Sequence, residues 1–252
     1  MKSALSIALA FLLFACGNST KTETTTETEP AQAADVTPLP TLTEEQTAQG
    51  WRILFDGTTT NGWKIFKDRK NNSWEVVNGT LHCKAPSEVA GVDNERSDLM
   101  TVEQFENFEL SLEWKLAAQS NSGIIFRVTE EYEQPYFTGP EYQLIDDQGY
   151  PEEKDVHLTG ANYDVHAVPN KKMNKLGEWN HTKIVANGNK VEHWLNGEKI
   201  LEYEIGSADW TQRKNASKWK DVVGYCVPKS GHIDLQDHGG EAWFRNIMIR
   251  PL

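Results

Sequence analysis

The sequence predicts an all-β protein, a sandwich of two packed antiparallel sheets of jelly-roll type. Three observations carry that expectation. From Gly50 to Leu252 the chain is a series of short runs in which apolar and polar residues alternate, the period of a strand whose successive side chains point to opposite faces. Asn78-Gly79, Asn187-Gly188 and Asn196-Gly197 each join two such runs, and Asn-Gly is the strongest short-range hairpin signal. No long run has a helical period, apart from part of 205–218. Short strands punctuated by turns, without a solenoid or propeller repeat, bury their apolar faces most simply as two sheets packed face to face.

The first elements are an address. Residues 1–15 read as the signal peptide of a lipoprotein: Lys2 gives a positive start, and Ala4 to Phe14 is too short an apolar run to span a bilayer. Leu13-Phe14-Ala15-Cys16 resembles a bacterial lipobox, in which a small residue precedes the cysteine that becomes the lipidated N-terminus. An ordinary signal peptide with an incidental cysteine is the alternative; Gly17, Asn18 and Ser19 followed by a tether favour the lipid anchor. Acylation at Cys16 would bury enough methylenes for stable membrane attachment. Residues 16–40 are the anchor and a flexible tether, rich in Thr, Glu, Ala and Pro, with too little apolar surface to offset the entropy of ordering.

The globular domain is 41–252. It opens with Thr43 as the N-cap of one or two helical turns. Strands are expected at 51–55, 74–77, 80–84, 98–100, 108–116, 123–128, 142–146, 180–186, 190–195, 198–203, 231–236 and 243–250. The chain carries 25 basic and 37 acidic residues, a net charge of −12. That balance argues against nucleic-acid binding, which needs basic surface, and fits an envelope protein with neutral ligands. Cys83 and Cys226 are the cysteines left after lipidation. They read as small buried thiols, with a disulfide as the less favoured alternative. There is no CxxC and no zinc-ligand spacing. Most of the nine tryptophans should be core, with one or two lining a site.

Three stretches carry candidate chemistry. In 121–147, Ile124 and Phe126 should face the core, which puts Arg127 on the opposite face with Glu141 and Gln143 of the following strand. A carboxylate, a guanidinium and an amide on one sheet face suit a sugar; a solvated face with a surface ion pair is the other reading. In 231–239, Ile233 and Leu235 face inward, so His232, Asp234, Gln236 and His238 face out together. The loop 158–164, with Tyr163, either closes over a cleft or is ordinary surface.

Read together, LFDGTTTNGW (54–63), FELSLEWKL (108–116), NSGIIFR (121–127), GPEYQLIDD (139–147), TGANYD (159–164), GEWN (177–180), EHWLNG (192–197) and GHIDLQDHG with WFRNI (231–247) occur in this order. The ordered set resembles the 3-keto-disaccharide hydrolase domain family, and the resemblance covers nearly all of 50–252. It implies a concanavalin A-like jelly roll acting on 3-oxo-glycosides in the bacterial envelope, supplied by a partner sugar 3-dehydrogenase. A ketone at C3 acidifies the C2 proton, so one base can abstract it while donors hold the enolate oxygen. The C1 substituent then departs by elimination and water adds back, a route distinct from displacement between two carboxylates. On this reading Glu141 is the base, His238 the second proton-transfer group and Arg127 the cation at the ketone oxygen. Gln143 and Gln236 orient hydroxyls, with Tyr163 and Asp146 as weaker contacts. No cofactor is required. A divalent cation at the enolate would take ligands from Asp234, Asp237, His238 and Glu141, although their spacing is not that of a metal motif. A lyase or hydratase half-reaction and a non-catalytic carbohydrate-binding module are the alternatives.

Overall fold

The computed structural model describes residues 38–89 and 95–252; Cys16 and nearly all of the tether lie outside the described residues. Thirteen strands follow in chain order: β1 (Arg52–Ile53), β2 (Trp63–Ile65), β3 (Trp74–Val77), β4 (Thr80–Cys83), β5 (Leu99–Thr101), β6 (Phe108–Leu116), β7 (Asn121–Val128), β8 (Glu141–Ile145), β9 (Asn180–Asn187), β10 (Lys190–Leu195), β11 (Glu198–Glu204), β12 (His232–Leu235) and β13 (Ala242–Pro251). Eight build one antiparallel sheet in the order β11-β10-β9-β6-β13-β4-β3, with β1 also on β13. Five build the other, β2-β5-β12-β7-β8. The architecture is the expected antiparallel jelly-roll sandwich, with successive strands crossing between sheets.

Each expected strand is present, shifted at its ends by a residue or two. β2 is the addition: three residues are too few to show alternation, and Trp63 is held by donating its indole N–H to the Leu54 carbonyl at 2.8 Å. The Asn-Gly turns behave as their chemistry requires. Asn78 and Gly79 have φ of 49° and 76°, Asn196 and Gly197 49° and 84°, the left-handed pair of a type I′ hairpin. Helix α1 (Glu44–Ala48) starts at Thr43 with a capping box: Thr43 accepts from the Gln46 N–H at 3.1 Å, and Gln46 accepts from the Thr43 N–H at 2.9 Å. Helix α2 (Ala208–Ala216) occupies the one stretch with helical pattern. Cys83 and Cys226 are buried free thiols.

The core lies between the sheets. Leu110, Leu112 and Trp114 of β6, Ile124 and Phe126 of β7, Tyr142 and Leu144 of β8, and Ile233 and Leu235 of β12 are all 2 % exposed or less. Fully burying side chains of this size contributes about 1.5–3 kcal/mol each before entropy is charged against it. The outer face of the five-stranded sheet differs from expectation: it is not solvated. Phe66, Met100, Ile125 and Val128 form a second apolar cluster there, with Tyr136 packed on it. The strip 159–163 runs along the β8 edge, Gly160 N donating to Gln143 O at 2.9 Å and Gln143 N to Ala161 O at 3.1 Å. The edge is thereby paired, and the outer face gains walls.

One irregularity redirects a side chain. Along β7 and β12, Val128 pairs with His232 and Ile125 with Asp234, so Phe126 and Arg127 together oppose Ile233. This is a β-bulge, with Arg127 at φ 58°. Gly231 sits against it: a Cβ there would lie 2.3 Å from the Arg127 carbonyl carbon and 2.5 Å from the Val128 oxygen. Both are backbone atoms that cannot swing aside. Gly231→Ala is expected to destabilise the fold by about 2 kcal/mol or more, read as a lower urea midpoint at unchanged slope.

Candidate active site

The site is built on the outer face of the five-stranded sheet. Strand register places Glu141 (β8), Ile125 (β7), Asp234 (β12) and Met100 (β5) in one row across it. In the next row Gln143 pairs with Gly123, whose carbonyl accepts from the Gln236 N–H at 2.9 Å. Gly123 is the gap in this floor. A Cβ added to it would fall 2.3 Å from Glu141 Oε1, so the Glu141 carboxyl lies where a side chain at 123 would stand.

Loops wall the floor into a cavity of about 270 Å³. Tyr136 and Phe137 come from a 3₁₀ turn, Tyr163 from the strip beside β8, and Lys218, Trp219 and Val222 from the segment after α2. Asp164 ties two walls together: it accepts from the Lys218 backbone N–H at 2.7 Å and meets His157 Nε2 at 2.7 Å. The Trp219 indole N–H donates to the Tyr163 carbonyl at 2.9 Å. His238 is exposed at the rim, and Asn121 accepts from Gln143 Nε2 at 3.2 Å. That bond leaves Gln143 Oε1 buried without a partner, an acceptor ready for a ligand hydroxyl.

Burial dominates the electrostatics. The Glu141 carboxyl accepts no hydrogen bond from a described residue, and burial pushes its pKa up to about 8. Nearby Lys218 pulls it back and Asp98 pushes it further up. Asp234 is fully buried, and burial holds it well above the carboxylate range, with the charge of Asp98 and a hydrogen bond shared with its carboxyl adding to the effect. Asp98 is raised by burial as well, while the Asp237 N–H donating to it at 2.9 Å opposes the shift. Three acids on one dry face therefore resist ionising together. Lys218 is exposed as a residue, but its ammonium stands 4.0 Å from the Tyr163 ring centre and 4.4 Å from that of Trp219. The rings strip part of its hydration and lower its pKa, with Glu141 and Asp164 resisting. Burial raises the Tyr163 phenol to about 12.

Of the residues singled out in the sequence, Glu141, Gln143, Gln236, Tyr163 and His238 line this one cavity. Arg127 does not. The bulge turns it off the outer face, and its Nη2 donates to the Gly188 carbonyl at 2.5 Å, in the β9–β10 turn of the opposite sheet. Asp146 is also elsewhere: its carboxylate accepts from the backbone N–H groups of Gln119 and Gln148 at 2.9 and 3.3 Å and holds the turn after β8. The four residues named as cation ligands do not converge. Asp237 is taken by Arg96 at 2.6 Å and by the Ser73 hydroxyl at 2.6 Å. Among the described residues, the histidine and acid groups close enough for one ion are His82 of β4, Glu88 of the 3₁₀ turn that follows it and Glu241 just before β13. Sequence reasoning missed Lys218, Tyr136 and Trp219, which sit in irregular segments where no period assigns a face. Only the clustering of Lys218 and Trp219 beside Lys220 hinted at a role.

A larger cavity of about 670 Å³ is lined by Trp114, Asp146, Asp147, Val168, Lys171 and Met173 among others. Among its charged groups Lys171 pairs with Asp147 at 2.7 Å, and Asp146 holds the turn after β8. The smaller cavity, with its unpartnered acid and amide, is the one equipped for chemistry.

A sandwich with an acid, amides, a lysine and aromatic rings on one sheet face is the apparatus of a carbohydrate-active protein. Comparison with known proteins assigns it further. Residues 50–250 match the 3-keto-alpha-glucoside-1,2-lyase-like domain family, and the chain belongs to that family of enzymes. The 3-keto-disaccharide hydrolase of Bacteroides thetaiotaomicron is 33% identical over 231 residues, 81% of this chain and 79% of that protein. A Parabacteroides distasonis crystal structure, provisionally assigned as a glycosyl hydrolase, is 37% identical with a TM-score of 0.77, covering 85% of this chain and all of its own. A second from that organism is 27% identical with a TM-score of 0.61, covering 80% and 99%.

Two outcomes check the geometry. Gly123→Ala should displace the Glu141 carboxyl, a flexible group that can yield, and lower activity at least tenfold while the melting temperature changes little. Because the folded Glu141 pKa is raised, its carboxylate binds a proton more tightly in the folded state than in the unfolded chain. Its contribution to stability is therefore full below the ordinary glutamate pKa and is lost as pH rises through about 8. Thermal melts from pH 5 to 9 should fall more steeply for the parent than for Glu141→Gln.

Proposed function

We propose that the chain cleaves 3-keto-glycosides, 3-keto-disaccharides among them, by abstracting the C2 proton, eliminating the C1 substituent and adding water back. The observation that carries this reading is Glu141: a dry, unpartnered carboxyl with a pKa near neutrality on the floor of a sugar-sized cavity. A base must hold its proton weakly enough to act and strongly enough to abstract, and a pKa near the working pH meets both needs. Once C2 loses its proton, negative charge develops on the C3 oxygen. The cationic group in the cavity is Lys218, which takes the role expected of Arg127. Gln143 Oε1 and the Gln236 amide orient ring hydroxyls, and Tyr163 and Trp219 offer apolar faces to the pyranose. His238 at the rim stands on the solvent side, suited to protonating the departing oxygen and admitting water.

Stopping after elimination would make the same residues a lyase, and the family's 1,2-lyase-like description favours keeping that half-reaction as a second reading. A non-catalytic sugar-binding module needs amides and rings but gains nothing from a buried acid, whose desolvation costs stability. The enzyme would work at the membrane of the envelope through a lipid on Cys16, downstream of a sugar 3-dehydrogenase that installs the ketone.

NMR in deuterated water tests this directly. A 3-keto-disaccharide should be cleaved, its unoxidised parent should not, and deuterium should enter at C2; cleavage without C2 exchange points to direct displacement instead. Glu141→Gln should lower kcat at least about 10³-fold with the fold intact. With Glu141 acting as a base, kcat/KM should rise with pH toward a plateau above about 8.

A further inference from the structure

Lys218 has features that a purely electrostatic role does not need. Among the described residues its ammonium has no hydrogen-bonded or ion-paired partner; its close neighbours are the rings of Tyr163 and Trp219. An ammonium meant only as a fixed charge is usually anchored by carboxylates, as Lys64 is by Glu130 at 2.7 Å and Lys171 by Asp147 at 2.7 Å. Lys218 shares the cavity with Glu141, an acid near enough to feel its charge. Its partly stripped hydration favours the neutral amine. An unanchored lysine against apolar rings, near an acid and open to ligand, is the environment of a nucleophilic amine.

We propose that Lys218 is a covalent catalyst that condenses with the C3 ketone of the substrate to form an iminium. This rests on the reading that the cavity receives a 3-keto sugar, and deepens it by making the electron sink at C3 covalent. The neutral Nζ adds to C3, forming the C–N bond. The former carbonyl oxygen gains two protons, drawn from the amine and from the acid form of Glu141, and leaves as water. The resulting C=N⁺ bond withdraws electrons from C2 more strongly than the ketone does. Glu141, now ionised, takes the C2 proton, and that electron pair forms a C2=C3 enamine. The enamine nitrogen then re-forms C=N⁺ as C1=C2 forms and the C1–O bond breaks. The departing oxygen keeps that pair and is protonated from His238. Water adds its oxygen to C1, with a proton returning to C2. A second water hydrolyses the iminium and restores the ketone and free Lys218. One water is released and two are consumed, so the sum is hydrolysis of one glycosidic bond.

The test traps the intermediate. The full chain is incubated with a 3-keto-disaccharide and sodium cyanoborohydride near neutral pH, which reduces iminium ions in preference to ketones. Turnover and C2 deuterium exchange are followed in parallel without the reductant. The expected result is a secondary amine carrying the sugar on the peptide that contains Lys218, with activity lost as the adduct accumulates. Lys218→Arg, which keeps the charge but cannot condense, should give no adduct and lose at least a thousandfold in kcat. If the parent turns the substrate over and exchanges C2 but yields no adduct on Lys218, or if Lys218→Arg keeps its activity, the covalent role is overturned while the keto-sugar reading stands. If neither turnover, exchange nor adduct appears, both fall together.

Discussion

The site depends on one constraint: the Glu141 carboxyl must be dry. Placed on an ordinary solvated sheet face, it would titrate as any glutamate and pull weakly on a carbon acid. Here Gly123 leaves the space into which the carboxyl folds, Ile125 separates it from Asp234, and Tyr136, Phe137 and Trp219 close over the face. Each of these groups withholds hydrogen bonds from the carboxylate form. Burial of this kind opposes folding whenever the group must ionise, so the sheet must supply the stability that the site gives up. The inter-sheet core, continuous from β6 through β7, β8 and β12, is what makes this affordable in energetic terms.

The walls matter as much as the floor. The strip 159–163 pairs with β8 through backbone hydrogen bonds, which fixes Tyr163 relative to Glu141 to within strand precision; the Tyr163 N–H donates to the Glu141 carbonyl at 3.1 Å. The Asp164 carboxylate then positions Lys218 through its own backbone N–H, so the lysine stem starts from a defined point and its ammonium lies over the rings of Tyr163 and Trp219.

Alternation made much of this legible in the sequence. It places Tyr142 and Leu144 inward and Glu141 and Gln143 outward, and the packing follows that division: the first pair joins the inter-sheet core and the second lines the outer-face cavity, although all four are buried. The Asn-Gly turns mark three hairpins; Asn78-Gly79 and Asn196-Gly197 take left-handed φ at both residues, whereas Asn187 ends β9 and only Gly188 is left-handed, at φ 59°. Alternation fails wherever the period of two is interrupted. Arg127 is assigned to the outer face by counting from Phe126, but the bulge inserts one residue and cancels the count. Nothing local marks the bulge; its signal is the steric demand at Gly231, more than one hundred residues away in the chain. Lys218 and Trp219 escaped because they follow a helix in irregular backbone, where sequence spacing says nothing of direction. Asp146 belongs to the motif GPEYQLIDD, but its carboxylate is consumed by the turn that ends the strand.

The proposed site is the smaller of the two cavities. The space beside Trp114 and Lys171 exceeds that above Glu141 more than twofold, yet its Lys171 and Asp147 neutralise each other in an ion pair. An ion pair already satisfied offers a ligand little, since binding must first break it. The smaller cavity keeps polar groups available: the buried Gln143 oxygen has no partner, and the Glu141 carboxyl has no hydrogen bond from a described residue. Folded proteins tolerate few such groups, because each costs about 1–3 kcal/mol. The Gln143 oxygen that lines this cavity suits the hydroxyl-rich substrate of the proposed function. A carbon acid flanked by a ketone asks for a weakly solvated base and an electron sink, and for little else that a paired-carboxylate glycosidase would require.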